Sequence, residues 1–218
     1  MSKYTIDSVG LGALLTQRRF GVPTYQRAFA WGSGEGRDEV EDFWKDLEQA
    51  VASKSDEAYF LGTVVLSDSS DYVETLSASG RSFIIDGQQR LTTAFLLILA
   101  IRDAFRKRGD SRGDDIEKRY IASRDLRTRE KESRLRLGAT DNDFLQSLIE
   151  GTRRSLDRRA PQSHRLLAKA MDFLSGQIEV HTASMGDKWA DRLVDWVDLI
   201  HERALVITVT VPPSPTLS

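Results

Sequence analysis

The segment Phe83-Ile84-Ile85-Asp86-Gly87-Gln88-Gln89-Arg90-Leu91-Thr92-Thr93 gathers groups that suit an anion, and a phosphate above all. A buried strand that runs into a glycine and opens a helix aims unpaired backbone N–H groups, and the positive helix end, at whatever lies above the strand tip. Gly87 lets the backbone approach closely, Arg90 offers a bidentate fork, Gln88 and Gln89 offer amides, and Thr92 and Thr93 add hydroxyls. Asp86, at the strand end, could hold a magnesium ion or orient an attacking water, since magnesium takes oxygen ligands and shares them with substrate phosphates. The segment is not a Walker A loop, which needs Gly-x-x-x-x-Gly-Lys-Ser/Thr. The plain alternative is an ordinary strand-to-helix turn with Asp86 as its cap.

A second segment, Val22-Pro23-Thr24-Tyr25-Gln26-Arg27-Ala28-Phe29-Ala30-Trp31, interleaves aromatic rings with amide and guanidinium groups on extended chain. Such a run can stack on a base and hold a backbone phosphate together. Phe29 and Trp31 read better as core anchors, because such rings bury large areas. Tyr25, Gln26 and Arg27 are the better candidates for function.

The elements that must position these groups follow from pattern. Ser8 can cap a short helix through Leu11, Leu14 and Leu15. Pro23 disfavours helix at Val22 and keeps 19–31 extended. From Asp38, the apolar residues Val40, Phe43, Trp44, Leu47 and Val51 fall at helical spacing behind an acidic first turn. Residues 59–66 are β-branched and aromatic, hence a strand buried on both faces; 72–76 read as an edge strand, and 81–86 as a second buried strand. The helix from about Gln88 to Lys107 buries a stripe of Leu91, Phe95, Ile98, Leu99 and Phe105. Beyond Gly109 helices are expected near 114–123, 141–150, 164–181 and 188–202, with a short strand at 134–137. Ala204 to Val211 reads as a strand, followed by Pro212-Pro213-Ser214-Pro215.

Composition narrows the function classes. The 218 residues carry a formal charge of -2 and no cysteine, which excludes a disulfide framework, a thiolate zinc site and a cysteine nucleophile. The longest apolar stretch, Ala94 to Ile101, falls far short of the roughly 20 residues of a membrane span, and MSKYTIDSVG is no secretory signal, so no membrane partner and a cytoplasmic location are expected. The charge is uneven. Nine acids face three bases between Glu35 and Glu57, whereas thirteen Lys and Arg face eight acids between Arg102 and Arg136. Arg153, Arg154, Arg158 and Arg159 add a second basic cluster. Such a lobe could meet nucleic-acid phosphates or could be a solvated helix face. His164, His181 and His201 lack close ligand spacing and read as structural or surface residues.

Taken jointly, Pro-x-Tyr-Gln-Arg-x-Phe-x-Trp, Phe-Leu-Gly-x-Val-Val-Leu and Ile-Ile-Asp-Gly-Gln-Gln-Arg-Leu-Thr-Thr resemble the N-terminal domain of the GmrSD and SspE type of DNA-modification-dependent restriction proteins. The likeness is strong over residues 5 to 110 and weak beyond, through Arg134-Leu135-Arg136-Leu137 and Asp141-Asn142. It implies an α+β fold of ParB/sulfiredoxin type: a small mixed β-sheet with a nucleotide-binding helix N-terminus in residues 1–110, a helical lobe in 111–203, and a C-terminal strand and Pro-rich tail in 204–218. It also implies a magnesium-dependent nucleoside triphosphatase, with GTP as the favoured nucleotide, that senses phosphorothioate or glucosylated double-stranded DNA and licenses cleavage. On this resemblance Asp86, Gln89 and Arg90 are the catalytic candidates; Gly87, Gln88, Arg90, Thr92 and Thr93 bind nucleotide; Asp86 holds the metal; and Tyr25, Gln26 and Arg27 sense DNA or couple it to the nucleotide. Members usually continue past the last strand with a Phe-Glu-x-x-Asn-x-Arg-Gly segment and often a His-Asn-His nuclease domain. Neither is present here, so nuclease activity is expected of a C-terminal or separate domain, and the chain is expected to be an N-terminal half or a stand-alone regulator. The alternatives are a non-hydrolysing DNA-binding or regulatory module of the same fold, and a scaffold acting through protein contacts.

Overall fold

The computed structural model describes residues 4–33, 36, 39–53, 57–68, 81–124 and 129–211. The expected edge strand at 72–76 lies outside them. The fold is mixed α+β, a six-stranded sheet with a helical lobe.

The strands are β1 (Thr5–Gly10), β2 (Arg19–Gly21), β3 (Tyr59–Ser67), β4 (Arg81–Asp86), β5 (Ala122–Arg124), β6 (Lys131–Ser133), β7 (Leu135–Arg136) and β8 (Ala204–Val211). The main sheet runs β1-β8-β3-β4-β2-β7, and β5 and β6 form a separate pair. The last strand lies inside the sheet, antiparallel to β1 and parallel to β3. β4 is antiparallel to β3 and parallel to β2. The helices are α1 (Leu11–Gln17), α2 (Glu39–Ala52), α3 (Gln88–Lys107), α4 (Arg112–Ile116), α5 (Ala139–Glu150), α6 (Gln162–Ala183) and α7 (Trp189–Asp198).

α3 is the axis of the molecule. Every residue from Leu91 to Arg102 is buried, so the expected apolar stripe is instead a helix enclosed all round, which is why its sequence is near-continuously apolar there. Residues from 1–110, 111–203 and 204–218 share one contiguous apolar cluster around it. α2 joins through stacking of Trp44 on Trp196 at 4.4 Å, with the His181 ring edge-on to both.

Three local expectations need correction. Ser8 lies in β1, and the α1 helix starts after Gly10 with no side-chain cap; pairing of β1 with β8 outweighs the cap. β3 buries Leu61, Val64 and Leu66 but leaves Phe60 57% exposed, so one face is open along part of its length. The helix expected over 114–123 gives way to a π-helical turn at Glu117–Ile121 and then β5. That turn places Glu117 on the buried Arg102, 2.5 Å away, which also donates to Ile149 O at 2.9 Å. A paired and fully bonded buried charge is tolerated where an unpaired one is not.

Candidate functional site

Where β4 hands over to α3, Gly87 adopts φ 88°, ψ 7°, the left-handed region that a side chain resists. The crowding is as strict as the dihedral. A Cβ there would lie 3.0 Å from Val64 Cγ2 and 3.1 Å from Thr63 O. The Asp86 carboxylate folds over the turn and accepts from Gly87 N at 2.8 Å, leaving its other oxygen toward solvent. The first turn of α3 follows, with its amides directed outward as any helix start requires.

The loop 22–31 is fastened to this turn by three glutamine amides. Gln26 Nε2 donates to Ile85 O at 2.8 Å, and Gln88 Nε2 donates to Arg27 O at 2.5 Å. Gln89 Oε1 accepts from Ala30 N at 2.8 Å and Trp31 N at 3.3 Å, while its Nε2 donates to Ala28 O at 3.3 Å. The two sequence segments singled out above are therefore one structural unit. Asp141, at the start of α5 and 3% exposed, locks the same loop from behind: it accepts from Phe29 N at 2.9 Å and from Ser163 Oγ at 2.5 Å.

The result is a cleft of about 200 Å³ floored by Gly87 and Gln88 and walled by Gln26, Arg27, Trp31, Asp86, Gln89 and Arg90. Among the described residues Arg27 is exposed and its guanidinium carries no hydrogen bond or ion pair. Arg90 lies flat on β3. Its Nη1 donates to Thr63 O at 3.3 Å, and a Cβ on Gly62 (φ 111°) would stand 3.1 Å from its guanidinium. The β3–β8 register shifts between Phe60 and Gly62, a bulge that opens the space Arg90 fills. Past Trp31 and Arg90, which line both, the surface dips into a second cleft of about 270 Å³ between α2 and β3.

Of the residues read from sequence, Gln26, Arg27, Asp86, Gly87, Gln88, Gln89 and Arg90 come together around one cleft. Tyr25 stands 61% exposed on the loop outside that lining. Thr92 and Thr93 are fully buried on the inner side of α3; Thr93 Oγ1 donates to Gln89 O at 2.9 Å, and Thr92 faces a cavity of about 90 Å³ behind the loop. Position 92 lies on the opposite side of the helix from 90, whereas 93 shares the side of 90 one turn on and is covered because α3 is enclosed from Leu91 to Arg102. Asp141 was legible as a helix start and as part of the Asp141-Asn142 likeness, but its hold on Phe29, 112 residues away, left no local signal.

Magnesium fits this donor set in a limited way. Among the described residues no cluster of three or more His, Asp or Glu side chains could hold a metal alone. Asp86 is a single open carboxylate beside a phosphate-sized cleft, the pattern of a magnesium ion held by one or two carboxylates plus substrate phosphates.

Among the described residues, five of the thirteen bases in the basic region stand in ion pairs. Arg102 pairs with Asp103 and Glu117, Arg106 with Asp114, Arg112 with Asp110, Lys131 with Glu117, and Lys107 with Glu179. Those residues form a laced surface rather than a free positive face. The second cluster differs: on the 151–161 connection Arg153 pairs with Asp172, whereas Arg154, Arg158 and Arg159 are exposed without an ion pair among the described residues. His201 accepts from Arg119 through Nε2 at 3.0 Å, so its proton sits on Nδ1 toward Tyr120 Oη at 3.1 Å. Burial, then the Arg119 charge, holds its pKa below 6.5, against the opposing pull of Glu202 and Asp198. No described helix is long and apolar enough to cross a membrane.

Compared with known proteins, residues 11–211 match the family model described as the GmrSD restriction endonuclease, N-terminal domain. No curated protein matches the chain.

Proposed function

Because the chain belongs to the N-terminal domain family of GmrSD restriction endonucleases, and so to a restriction system, we propose that it is that system's nucleotide-hydrolysing sensor of modified DNA. The observation that carries this reading is the convergence of a left-handed Gly87, the α3 start, Arg90, Arg27 and Asp86 on one cleft of about 200 Å³. Backbone amides of a helix start and two guanidinium groups are a phosphate receptor.

Phosphoryl transfer asks a protein mainly for positioning and charge stabilisation. Arg90, braced against Gly62 and Thr63 O, would sit on the phosphates from one side. Arg27, fixed in backbone by Gln88 but free in side chain, would close from the other and supply charge as the transition state forms. Asp86 would hold magnesium, which adds charge neutralisation to the phosphates, and its outer oxygen can orient a water. Gln88, Gln89 and Gln26 then serve as the clasp that sets where Arg27 and Trp31 stand, with Gln89 fully engaged by loop backbone. Tyr25 is exposed on the same loop and well placed to report a neighbouring DNA. GTP is the expected nucleotide, and phosphorothioate or glucosylated duplex the expected signal. Arg154, Arg158 and Arg159 are the groups free to meet DNA phosphates. Cleavage itself belongs to a nuclease domain, in the same or another chain.

The test is phosphate release from GTP, ATP, CTP and UTP with magnesium, with and without phosphorothioated or glucosylated duplex, comparing the wild type with Arg90→Ala. Turnover that needs Arg90 and responds to one modification supports the reading. Tight binding of modified DNA without turnover on any nucleotide would favour the non-hydrolysing DNA-binding module instead.

A further inference from the structure

We propose that the cavity behind the 22–31 loop holds ordered water bonded to Thr92 Oγ1 and Gln88 Oε1, and that Thr92 is, through this water, a positioning residue for Arg27. The consequence for turnover rests on the nucleotide reading of the first cleft; the water site rests on the cavity alone.

The cavity, of about 90 Å³, lies between the loop, the first turns of α3 and the start of α5. Gln26, Arg27 and Gln88 line both it and the cleft, so they are the wall between the two. Two polar atoms of its lining residues are buried without a hydrogen-bond partner among the described residues, Gln88 Oε1 and Thr92 Oγ1. Thr92 is fully buried. Its neighbour Thr93 turns its hydroxyl back on Gln89 O at 2.9 Å, as a helical threonine commonly does, whereas Thr92 leaves that bond unmade. The Gln88 amide cannot turn to satisfy its own oxygen. Its Nε2 donates to Arg27 O at 2.5 Å, and a carbonyl accepts only from N–H, so a flip would break that bond.

Positions 88 and 92 stand one helical turn apart on the same side of α3, which brings the two orphaned atoms together over one cavity. A buried polar atom without a partner carries its full desolvation penalty, and a water relieves it given about 10–15 Å³ of room and two to four polar partners. The cavity has room for several, and the start of α5 adds the unpaired amides of a first helical turn to the two side-chain atoms. Its charges select water over an ion. Gln88 Oε1 and the Asp141 carboxylate oppose an anion, while both Asp141 oxygens already accept bonds, from Phe29 N and Ser163 Oγ, so no open carboxylate is left for a cation. A water that donates to Gln88 Oε1 and bonds Thr92 Oγ1 holds the glutamine amide in place. With it is held the Arg27 backbone, from which the guanidinium reaches the cleft.

A double-mutant cycle of Thr92→Val and Gln88→Leu on the full chain tests this, read by urea unfolding and by nucleotide turnover, with Thr92→Ser beside it. Valine keeps the shape of threonine and removes only the hydroxyl. In a dry cavity it would replace an orphaned hydroxyl and raise stability. With the water in place, Thr92→Val should lower the folding equilibrium constant about fivefold or more, and kcat about tenfold with nucleotide affinity unchanged, because Arg27 acts as the transition state forms. Thr92→Ser should restore both. In the Gln88→Leu background Thr92→Val should cost only a fraction of either loss. A Thr92→Val protein as stable as the wild type or more so, or losses that simply add in the double variant, overturns the water site. An intact cycle in unfolding with turnover untouched by Thr92→Val overturns the positioning role. No turnover by the wild type on any nucleotide overturns the hydrolysis reading and the positioning role with it, and the unfolding cycle still decides the water site.

Discussion

Replacing Gln89 by leucine separates a clasp from a catalyst. The side chain is 7% exposed and makes three bonds to the loop, to Ala28 O, Ala30 N and Trp31 N. At a net ~1 kcal/mol for each bond, partly recovered by water at the half-buried loop amides, the cost is about 2–3 kcal/mol. For a chain of this size that corresponds to a fall in Tm of roughly 5–10 °C. Gln89→Glu keeps an acceptor for the two N–H groups but sets a carboxylate against Ala28 O, so it should rank between leucine and wild type. Thermal and urea unfolding of the three proteins, with GTP turnover measured on each well below its Tm, reads both effects. The reasoning predicts that turnover falls together with stability, because Arg27 and Trp31 lose their anchor. A Gln89→Leu protein as stable as wild type yet inactive would refute it and return Gln89 to direct catalysis.

Four further outcomes follow from the same geometry. Gly62→Ala combines an unfavourable φ of 111° with a Cβ 3.1 Å from the Arg90 guanidinium, so it should displace Arg90 and weaken nucleotide binding about tenfold or more, while costing about 1–2 kcal/mol in urea unfolding. Asp141→Ala leaves Phe29 N–H without its acceptor in a buried setting and should destabilise by about 1–3 kcal/mol in the same assay. Because His201 has a folded pKa below its unfolded 6.5, the unfolded chain takes up its proton first on acidification; stability contributed by this group is present above pH 6.5 and is lost as pH falls through the folded value, and His201→Gln should flatten that limb of the pH–stability curve. Reversing Arg154, Arg158 and Arg159 to glutamate should lower the slope of log affinity for duplex DNA against log salt by about 2–3, whereas an unchanged slope would mean that this cluster does not touch DNA.

Much of the site was legible because its chemistry is local. Strand, glycine and helix follow one another within residues 81–107, and the Gly87 conformation and the helix start come from that short-range order, whereas the seat of Arg90 on Gly62 and Thr63 O does not. The pairing of the 22–31 loop with the α3 start was readable only as two motifs; that three amides join them depends on contacts 58 to 61 residues apart. That Thr92 and Thr93 lie buried outside the cleft lining was not legible for the opposite reason: an enclosed helix hides its period, so the sequence does not say which flank of α3 faces the cleft. Charge counting could not say which bases of the basic region are paired: acids from α4, the π-helical turn and α6 answer some of them, Glu117 alone meeting Arg102, Arg106 and Lys131. Burial of the last strand between β1 and β3 was equally invisible, since both partners lie more than 130 residues upstream and strand pairing carries no local mark.

The central claim is that a triphosphate lies over the α3 start between Arg27 and Arg90. A crystal structure of the chain with magnesium and a non-hydrolysable GTP analogue tests it most directly. The account predicts phosphate density above Gly87 and Gln88 in contact with Arg90 and Arg27. An analogue bound anywhere else, or a cleft still empty at saturating analogue, would contradict it.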